Sequence, residues 1–366
     1  MRVKFFCVPF LVILLHAQAF GQSRTNLLNI TSDPRGPAEV VVCSQNLRNF
    51  GVYSDVKKRV PDITSSELRL QEQALIRRFV KAQCDVIAAQ EILSSSEQGA
   101  KLVLEKLSQG LRAETNRFFT WEVGESSDKY LRVGFLVAKD RAEVINRTTY
   151  RNIELPKISE NQKPRFFVRE PFEVQLGVKP MGEGAIKVLT LITFHFKSKG
   201  GGSRDPTGLE FEPYRMEMAE ALRRIVELRH ASALSSGKTI LLLLGDRNSN
   251  FDSASAKILE GALKLRQFQG SAPCRLSKRG VPLCKAGASQ PQELFSVLTS
   301  DPRIKERQGT YHYKGVYSWI DDILMPAVAL PFAWEGPTST GKYAAGVIYE
   351  PSAASDHALV WVQLNW

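Results

Sequence analysis

The sequence predicts a single mixed α/β domain, on three observations. Short apolar runs that read as buried strands recur from residue 38 to the end of the chain, interleaved with stretches of helical periodicity. Most of these runs stop at a polar residue able to do chemistry. No composition break, long linker or internal repeat divides the 366 residues, of which 43% are hydrophobic.

The clearest strand is 239–244, which runs into LLLLGDRNSN at 241–250. Side chains alternate with period two along a strand, so Asp246 and Asn248 emerge on one side of its tip. Upstream, 38–44 (AEVVVCS) is a strand followed by QNLRN. Thr64-Ser65-Ser66-Glu67 has helix-start chemistry, and 68–82 carries an amphipathic pattern at Leu68, Ala74, Leu75, Phe79 and Ala82. Residues 85–89 (DVIAA) form a strand ending in Gln90-Glu91, 96–111 a helix, and 118–123 and 131–138 strands. Residues 139–163 are polar and give the least readable pattern.

Further on, 166–178 alternates as a strand, and 187–196 (KVLTLITFHF) is a strand containing His195. A basic, glycine-rich loop follows at 197–208, then a long Arg/Glu-rich helix over 210–233 and a helix near 253–263. Residues 311–325 read as a hairpin ending in SWIDDIL, and Ser355-Asp356-His357 precedes the last strand, 358–364. Asn46, Glu91, His195, Asp246 and Asp321 thus fall at carboxyl ends of apolar segments. His357 precedes its strand, so that strand must run antiparallel to bring His357 beside the others.

Residues 1–22 have the layout of a secretory signal peptide: Arg2 and Lys4, an apolar run, then Ala17-Gln18-Ala19. The run is too short for a membrane span. Residues 23–37 read as a flexible leader and 38–366 as the domain, which implies a secreted or periplasmic protein without stable membrane insertion. Removal of Arg2 and Lys4 lowers the formal charge from +11 to +9. That excess suits a polyanion such as nucleic acid, with an anionic membrane surface as the rival and a solvated basic face as the plain alternative. Export permits disulfides. Cys274 and Cys284 bracket a short basic loop and are expected to pair, whereas Cys43 and Cys84 lie in apolar surroundings and are expected to be buried thiols. The cysteine spacings fit no zinc site. Asn29-Ile30-Thr31 and Asn146-Arg147-Thr148 match the glycosylation sequon.

Each polar residue at a strand end also fits an ordinary role: Asn46 a turn cap, Glu91 a solvated charge, His195 a core histidine, Asp321 and Asp356 loop residues. Together they form an ordered set suited to phosphodiester hydrolysis. Hard oxygen ligands suit Mg²⁺, and two histidines can serve as acid and base near neutral pH.

On QNLRNFG, DVIAAQE, FVREPFEV, ITFHFKSKGG, LLGDRNSN, SWIDDIL and SDHALV, which span 40–362, the chain resembles the endonuclease/exonuclease/phosphatase superfamily. That superfamily includes deoxyribonuclease I and bacterial sphingomyelinases, and HFKSKGG is similar to secreted bacterial nucleases. The resemblance implies a four-layer sandwich, two packed mixed β-sheets with helices outside and the site at one edge. It implies Glu91 as principal Mg²⁺ ligand (Mn²⁺ or Ca²⁺ being possible substitutes), helped by Asn46 and Asp356. It further implies His357 as base oriented by Asp321, His195 as acid, Asp246 and Asn248 as positioning groups, and Arg169, Lys197 and Lys199 as substrate contacts. Where deoxyribonuclease I has a Glu that orients its first histidine, this chain offers Leu131 or Arg132. The implied protein is a monomeric, Mg²⁺-dependent nuclease acting mainly on DNA, and RNA is open. The alternatives are a phospholipid-acting phosphodiesterase such as a sphingomyelinase, a phosphatase of the same superfamily, and a non-catalytic binding module.

Overall fold

A computed structural model describes residues 39–365 except 181–183, 201–204, 206, 237–238, 270–274, 284–292, 302–308, 314 and 334–342. The signal-peptide and leader segments and the Cys274–Cys284 pairing lie outside the described residues. The chain opens with β1 (Glu39–Asn46), α1 (Tyr53–Arg59), α2 (Ser65–Ala82), β2 (Val86–Leu93) and α3 (Glu97–Thr115). It continues with β3 (Phe119–Val123), β4 (Leu131–Ala138), β5 (Ala142–Thr149), β6 (Phe172–Val178) and β7 (Lys187–His195). Then come α4 (Glu212–Arg229), α5 (Ala231–Ser236), β8 (Ile240–Asp246), α6 (Ala254–Leu259), β9 (Arg275–Leu276), β10 (Pro282–Leu283) and β11 (Leu294–Ser296). It ends with β12 (Tyr311–Tyr313), β13 (Val316–Ser318), β14 (Asp321–Pro326), β15 (Ala345–Ile348) and β16 (Leu359–Asn365).

Two mixed sheets result, in the orders β15-β16-β1-β2-β4-β3 and β11-β14-β8-β7-β6-β5. They pack face to face over Val42, Val86, Phe135, Phe172, Leu191, Leu242 and Val360. The outer face of the first sheet is covered by α2 and α3 through Leu75, Phe79, Leu104 and Leu107. The outer face of the second is covered by α4 and α6 through Met218, Leu222, Ile258 and Leu259. Strands buried on both faces are apolar without alternation, which is why 241–244 reads as four leucines.

Within each sheet the central pair is parallel, β1 with β2 and β7 with β8. β14 and β16 run antiparallel to their neighbours β8 and β1, as the placement of His357 before its strand requires. The carboxyl ends of four strands and the beginnings of two therefore meet at one edge of the sandwich.

Asp321 begins β14 instead of ending a strand, because the hairpin closes at Ser318 and β14 then runs antiparallel to β8. Three further local features depart from the sequence reading. Cys43 and Cys84 form a disulfide, with Cα atoms 5.8 Å apart, instead of remaining thiols. Cys43 points from β1 toward the helical layer, where Cys84 lies in the turn after α2, so separation in sequence hid a neighbourhood made by the β-α-β crossover. The strand expected over 166–178 is paired as a ladder only from Phe172, the stretch before it carrying Arg169. The helix expected over 210–233 stops at Arg229 and restarts at Ala231. The poorly legible 139–163 region holds β5, an edge strand whose exposed polar side chains give no apolar alternation.

Candidate active site

β7, β8 and β14 place His195, Asp246 and Asp321 in one cross-strand row, since His195 pairs with Asp246 and Asp246 with Asp321. The close approach of β7 and β8 needs Gly245: its φ is +152°, and a Cβ there would lie 2.0 Å from the Phe194 carbonyl oxygen. A glycine directly before the carboxylate thus lets two functional strands touch. In β2 the register shifts between Ala89 and Ile92, and Glu91 has φ 56°. This bulge turns the Glu91 side chain toward the site rather than along the pleat.

The two halves join through buried polar contacts. Asn46 Nδ2 donates to Asp246 Oδ2 at 3.1 Å, and Gln90 Nε2 donates to Thr193 Oγ1 at 2.9 Å. His195 Nε2 lies 3.5 Å from Asp246 Oδ2 and 3.7 Å from Glu91 Oε1. His357 Nδ1 is held by both Asp321 oxygens at 3.0 and 2.9 Å, and its Nε2 faces Asp246 Oδ2 at 3.9 Å. Asn248, with φ 55°, donates from its backbone N–H to Asp246 Oδ1 at 2.7 Å and from Nδ2 to Asp246 Oδ2 and to the Phe196 carbonyl, both at 3.2 Å.

Burial and charge set the protonation pattern. Burial raises Asp246 to about 7, with the charges of Asp321 and Glu91 adding to it and His357 opposing. Burial alone would lower His357, but the Asp321 and Asp246 charges and the Asp321 hydrogen bond raise it to about 10. His195 is pushed well below its ordinary value by burial, then by Arg169 and His357. The surrounding carboxylates thus favour the protonated form of His357, and burial with nearby cations favours the neutral form of His195.

Two groups of donor atoms lie close enough to share an ion: Glu91, His195 and Asp246, and Asp246, Asp321 and His357. Glu91 is the carboxylate open to solvent among them, and its Oε2 accepts the Asn49 N–H at 3.0 Å. Oxygen-rich and anionic, the set fits a hard divalent cation. Asn46 lies against it, with Oδ1 accepting the Arg48 N–H. Asp356 is turned toward Arg48, whose Nε is 3.8 Å away, and belongs to neither group.

Arg169 is mostly committed, donating from Nη1 to the Phe196 carbonyl and lying 3.4 Å from Asp128. Neither Leu131 nor Arg132 orients His195: Leu131 is in the core, and Arg132 donates to the Ser94 carbonyl. The His195 Nδ1 atom has no partner among the described residues. Asp128, three residues earlier, is the acid this loop supplies, and it reaches the site through Arg169. Lys197 leaves the site with Nζ over the Phe211 ring at 4.5 Å, and burial lowers both Lys197 and Lys199.

Two buried arginines escaped the sequence reading. Arg78 of α2 donates to Gln45 Oε1 and to the carbonyls of His357, Tyr349 and Ser355, fixing the loop that carries His357. Burial brings its guanidinium down to about 10. Arg247 pairs with Asp322 at 2.7 Å, on the side of β14 opposite Asp321. The interruption of an apolar helix face by Arg78 was the available signal for the first. The doubled aspartate, only one of which can face the site, was the signal for the second.

No family model matches the chain, and neither does any curated protein. Solved structures do. A D. rerio TDP2 humanized by 14 mutations aligns with TM-score 0.52 and 14% identity, over 90% of this chain and 100% of that one. The endonuclease/exonuclease/phosphatase from Bacteroides vulgatus aligns with TM-score 0.50 and 13% identity, over 89% and 98%. The human Nocturnin catalytic domain aligns with TM-score 0.50 and 13% identity, over 89% and 94%. With two mixed sheets between helical layers, the chain has the deoxyribonuclease I-like fold that these proteins share.

Proposed function

We propose that this protein is a divalent-metal-dependent phosphodiesterase of the endonuclease/exonuclease/phosphatase superfamily, exported and acting on nucleic acid, with DNA as the main substrate. The observation that carries the reading is the meeting of Glu91, His195, Asp246, Asp321 and His357 in one cluster, from strands of both sheets. Glu91 and Asp246 would hold a divalent cation, which would supply Lewis-acid polarisation of a phosphoryl oxygen and offset the carboxylate charge around His357.

The chain's own groups do the rest. Asp321 fixes the His357 ring through Nδ1, leaving Nε2 to take a proton from the attacking water. Asp246, bonded by Asn46 and Asn248, lies between the two histidines and orients that water. His195 presents Nε2 to the same space and, as a neutral ring with its proton on Nε2 toward Asp246 and Glu91, stabilises the leaving oxygen by a hydrogen bond and not as an imidazolium acid. Asn248 Nδ2 is committed to Asp246 Oδ2 and the Phe196 carbonyl, so Asn248 acts by fixing Asp246.

The formal charge, +11 on the full sequence and +9 without Arg2 and Lys4, supports a polyanionic substrate. Among the described residues no helix is long and apolar enough to cross a membrane. A zymogram with DNA, RNA and sphingomyelin substrates tests the reading; clearing of sphingomyelin alone would overturn it. Lys197→Ala with Lys199→Ala should weaken DNA binding uniformly across sequences and flatten its salt dependence.

A further inference from the structure

The hairpin β12–β13 belongs to neither large sheet and is joined to the loop that carries His357. Tyr311 bridges to His357, His312 N–H donates to the Asp356 carbonyl at 3.2 Å, and Ala358 N–H donates to the Thr310 carbonyl at 2.7 Å. The Tyr311 ring rests 4.6 Å from that of His357. The hairpin's own backbone thus fastens it beside the catalytic cluster.

Side chains alternate across the hairpin, so the face opposite Tyr311 carries the directly paired His312 and Tyr317. Their rings are stacked, with centroids 4.3 Å apart and an interplanar angle of 26°. Both side chains are exposed, Tyr317 by 41%. Tyr349 holds Tyr317 from the side: the two rings meet at 87° with centroids 6.1 Å apart, and the Tyr349 hydroxyl donates to the Gly309 carbonyl. Cross-strand rings steady any small hairpin. Here they are also preset, open to solvent and next to a phosphate-ester site.

That combination suits the flat face of a nucleobase, which stacks on aromatic side chains whatever its sequence. Inside a duplex both faces of a base are covered, so an unpaired strand is the form that fits. Asp356, whose carbonyl accepts from His312, also brings a cation to the hairpin's foot. Its carboxylate lies 3.8 Å from Arg48 Nε, and the Arg48 side chain is 56% exposed, open to a backbone phosphate. A lipid surface fits less well, since Val316 is the one exposed aliphatic side chain among the described hairpin residues.

We propose that His312 and Tyr317 form a stacking platform for an unpaired base near the reacting phosphate, which makes single-stranded DNA the favoured substrate. This rests on the phosphodiesterase reading above. The test measures kcat/KM with Mg²⁺ on an oligothymidylate, on the same strand annealed to oligodeoxyadenylate, and on an abasic strand of equal length and charge. The proteins are the wild type, Tyr317→Ala, Tyr317→Phe and His312→Ala.

The wild type should prefer the oligothymidylate to both the duplex and the abasic strand by about 5- to 150-fold, the worth of one base–aromatic stack. Tyr317→Ala should remove most of that preference, His312→Ala should reduce it, and Tyr317→Phe, which keeps the ring, should retain it. Equal rates on the three strands, a preference for the duplex, or a preference that survives both alanine substitutions would overturn the platform and leave the phosphodiesterase reading intact. Binding of the wild type, but not of Tyr317→Ala, to sphingomyelin–phosphatidylcholine vesicles would assign the hairpin to a lipid surface and overturn the platform. Hydrolysis of none of the strands would overturn the nuclease reading and the platform together.

Discussion

His357 and His195 are both buried, both face Asp246, and differ in almost everything else. His357 has a carboxylate partner at Nδ1 and three acidic neighbours, Asp321, Asp246 and Asp356, which raise its pKa to about 10. His195 has no partner at Nδ1 among the described residues, and the cations around it add to burial in keeping it neutral. Equal burial therefore gives opposite charge states, because neighbouring charges decide which form survives desolvation. One ring is fixed and electrostatically tuned by a neighbouring strand. The other is held by its own strand and by packing.

The largest effect that sharpens this contrast is loss of either ring. His357→Ala and His195→Ala should each reduce DNA hydrolysis by about 10²–10⁴-fold, and the double variant by much less than the product of the two. On a 4-nitrophenyl diester, whose leaving group needs no proton, His195→Ala should retain the larger share of activity. The reverse order would exchange the two roles, and near-normal rates for both on DNA would make them structural histidines.

A smaller effect isolates the partner that only His357 has. Asp321→Asn should reduce kcat by roughly 10–100-fold, the usual effect of losing a residue that orients a catalytic or ligand histidine. It should also change the pH dependence of stability in metal-free protein. His357 has a folded pKa above the unfolded 6.5, so its contribution is complete below pH 6.5 and disappears as pH rises through about 10. Urea unfolding of wild type and Asp321→Asn in EDTA should therefore show a wider stability gap at pH 6 than at pH 10.5. A gap independent of pH would mean that Asp321 does not hold the proton.

Activity should change least on reduction of the Cys43–Cys84 bond, whose effect is on stability. It closes a 41-residue separation around α1 and α2, and its loss should lower stability by up to about 4 kcal/mol. A urea midpoint unchanged by reductant would contradict this.

The sequence made the site legible where chemistry and strand ends coincide. Asp246 and His357 could be placed relative to one another because apolar runs mark strands and strand ends converge, whereas Asp321, expected at the carboxyl end of a strand, opens the antiparallel strand β14 and reaches the same edge from the other direction. Asp356 was harder, since nothing in Ser-Asp-His says which way its carboxylate turns, and in space it lies toward Arg48. The Glu91 bulge and the Arg78 clamp depend on contacts across 33 to 279 residues of chain, which local pattern does not encode. The disulfide failed for the same reason: Cys84 approaches Cys43 only after the crossover through α2 is complete. Tyr311, whose ring packs 4.6 Å from that of His357, looked like an ordinary hairpin residue.

The most direct measurement is hydrolysis of plasmid DNA by the purified protein in EDTA and after Mg²⁺ is restored, for wild type and Glu91→Gln in parallel. Glu91→Gln removes the solvent-facing carboxylate of the cluster while keeping its shape. The expected result is no turnover in EDTA, full recovery with Mg²⁺ for the wild type, and loss of most activity for a folded Glu91→Gln. Undiminished cleavage in EDTA, or a Glu91→Gln protein as active as wild type, would contradict metal-dependent hydrolysis at this cluster.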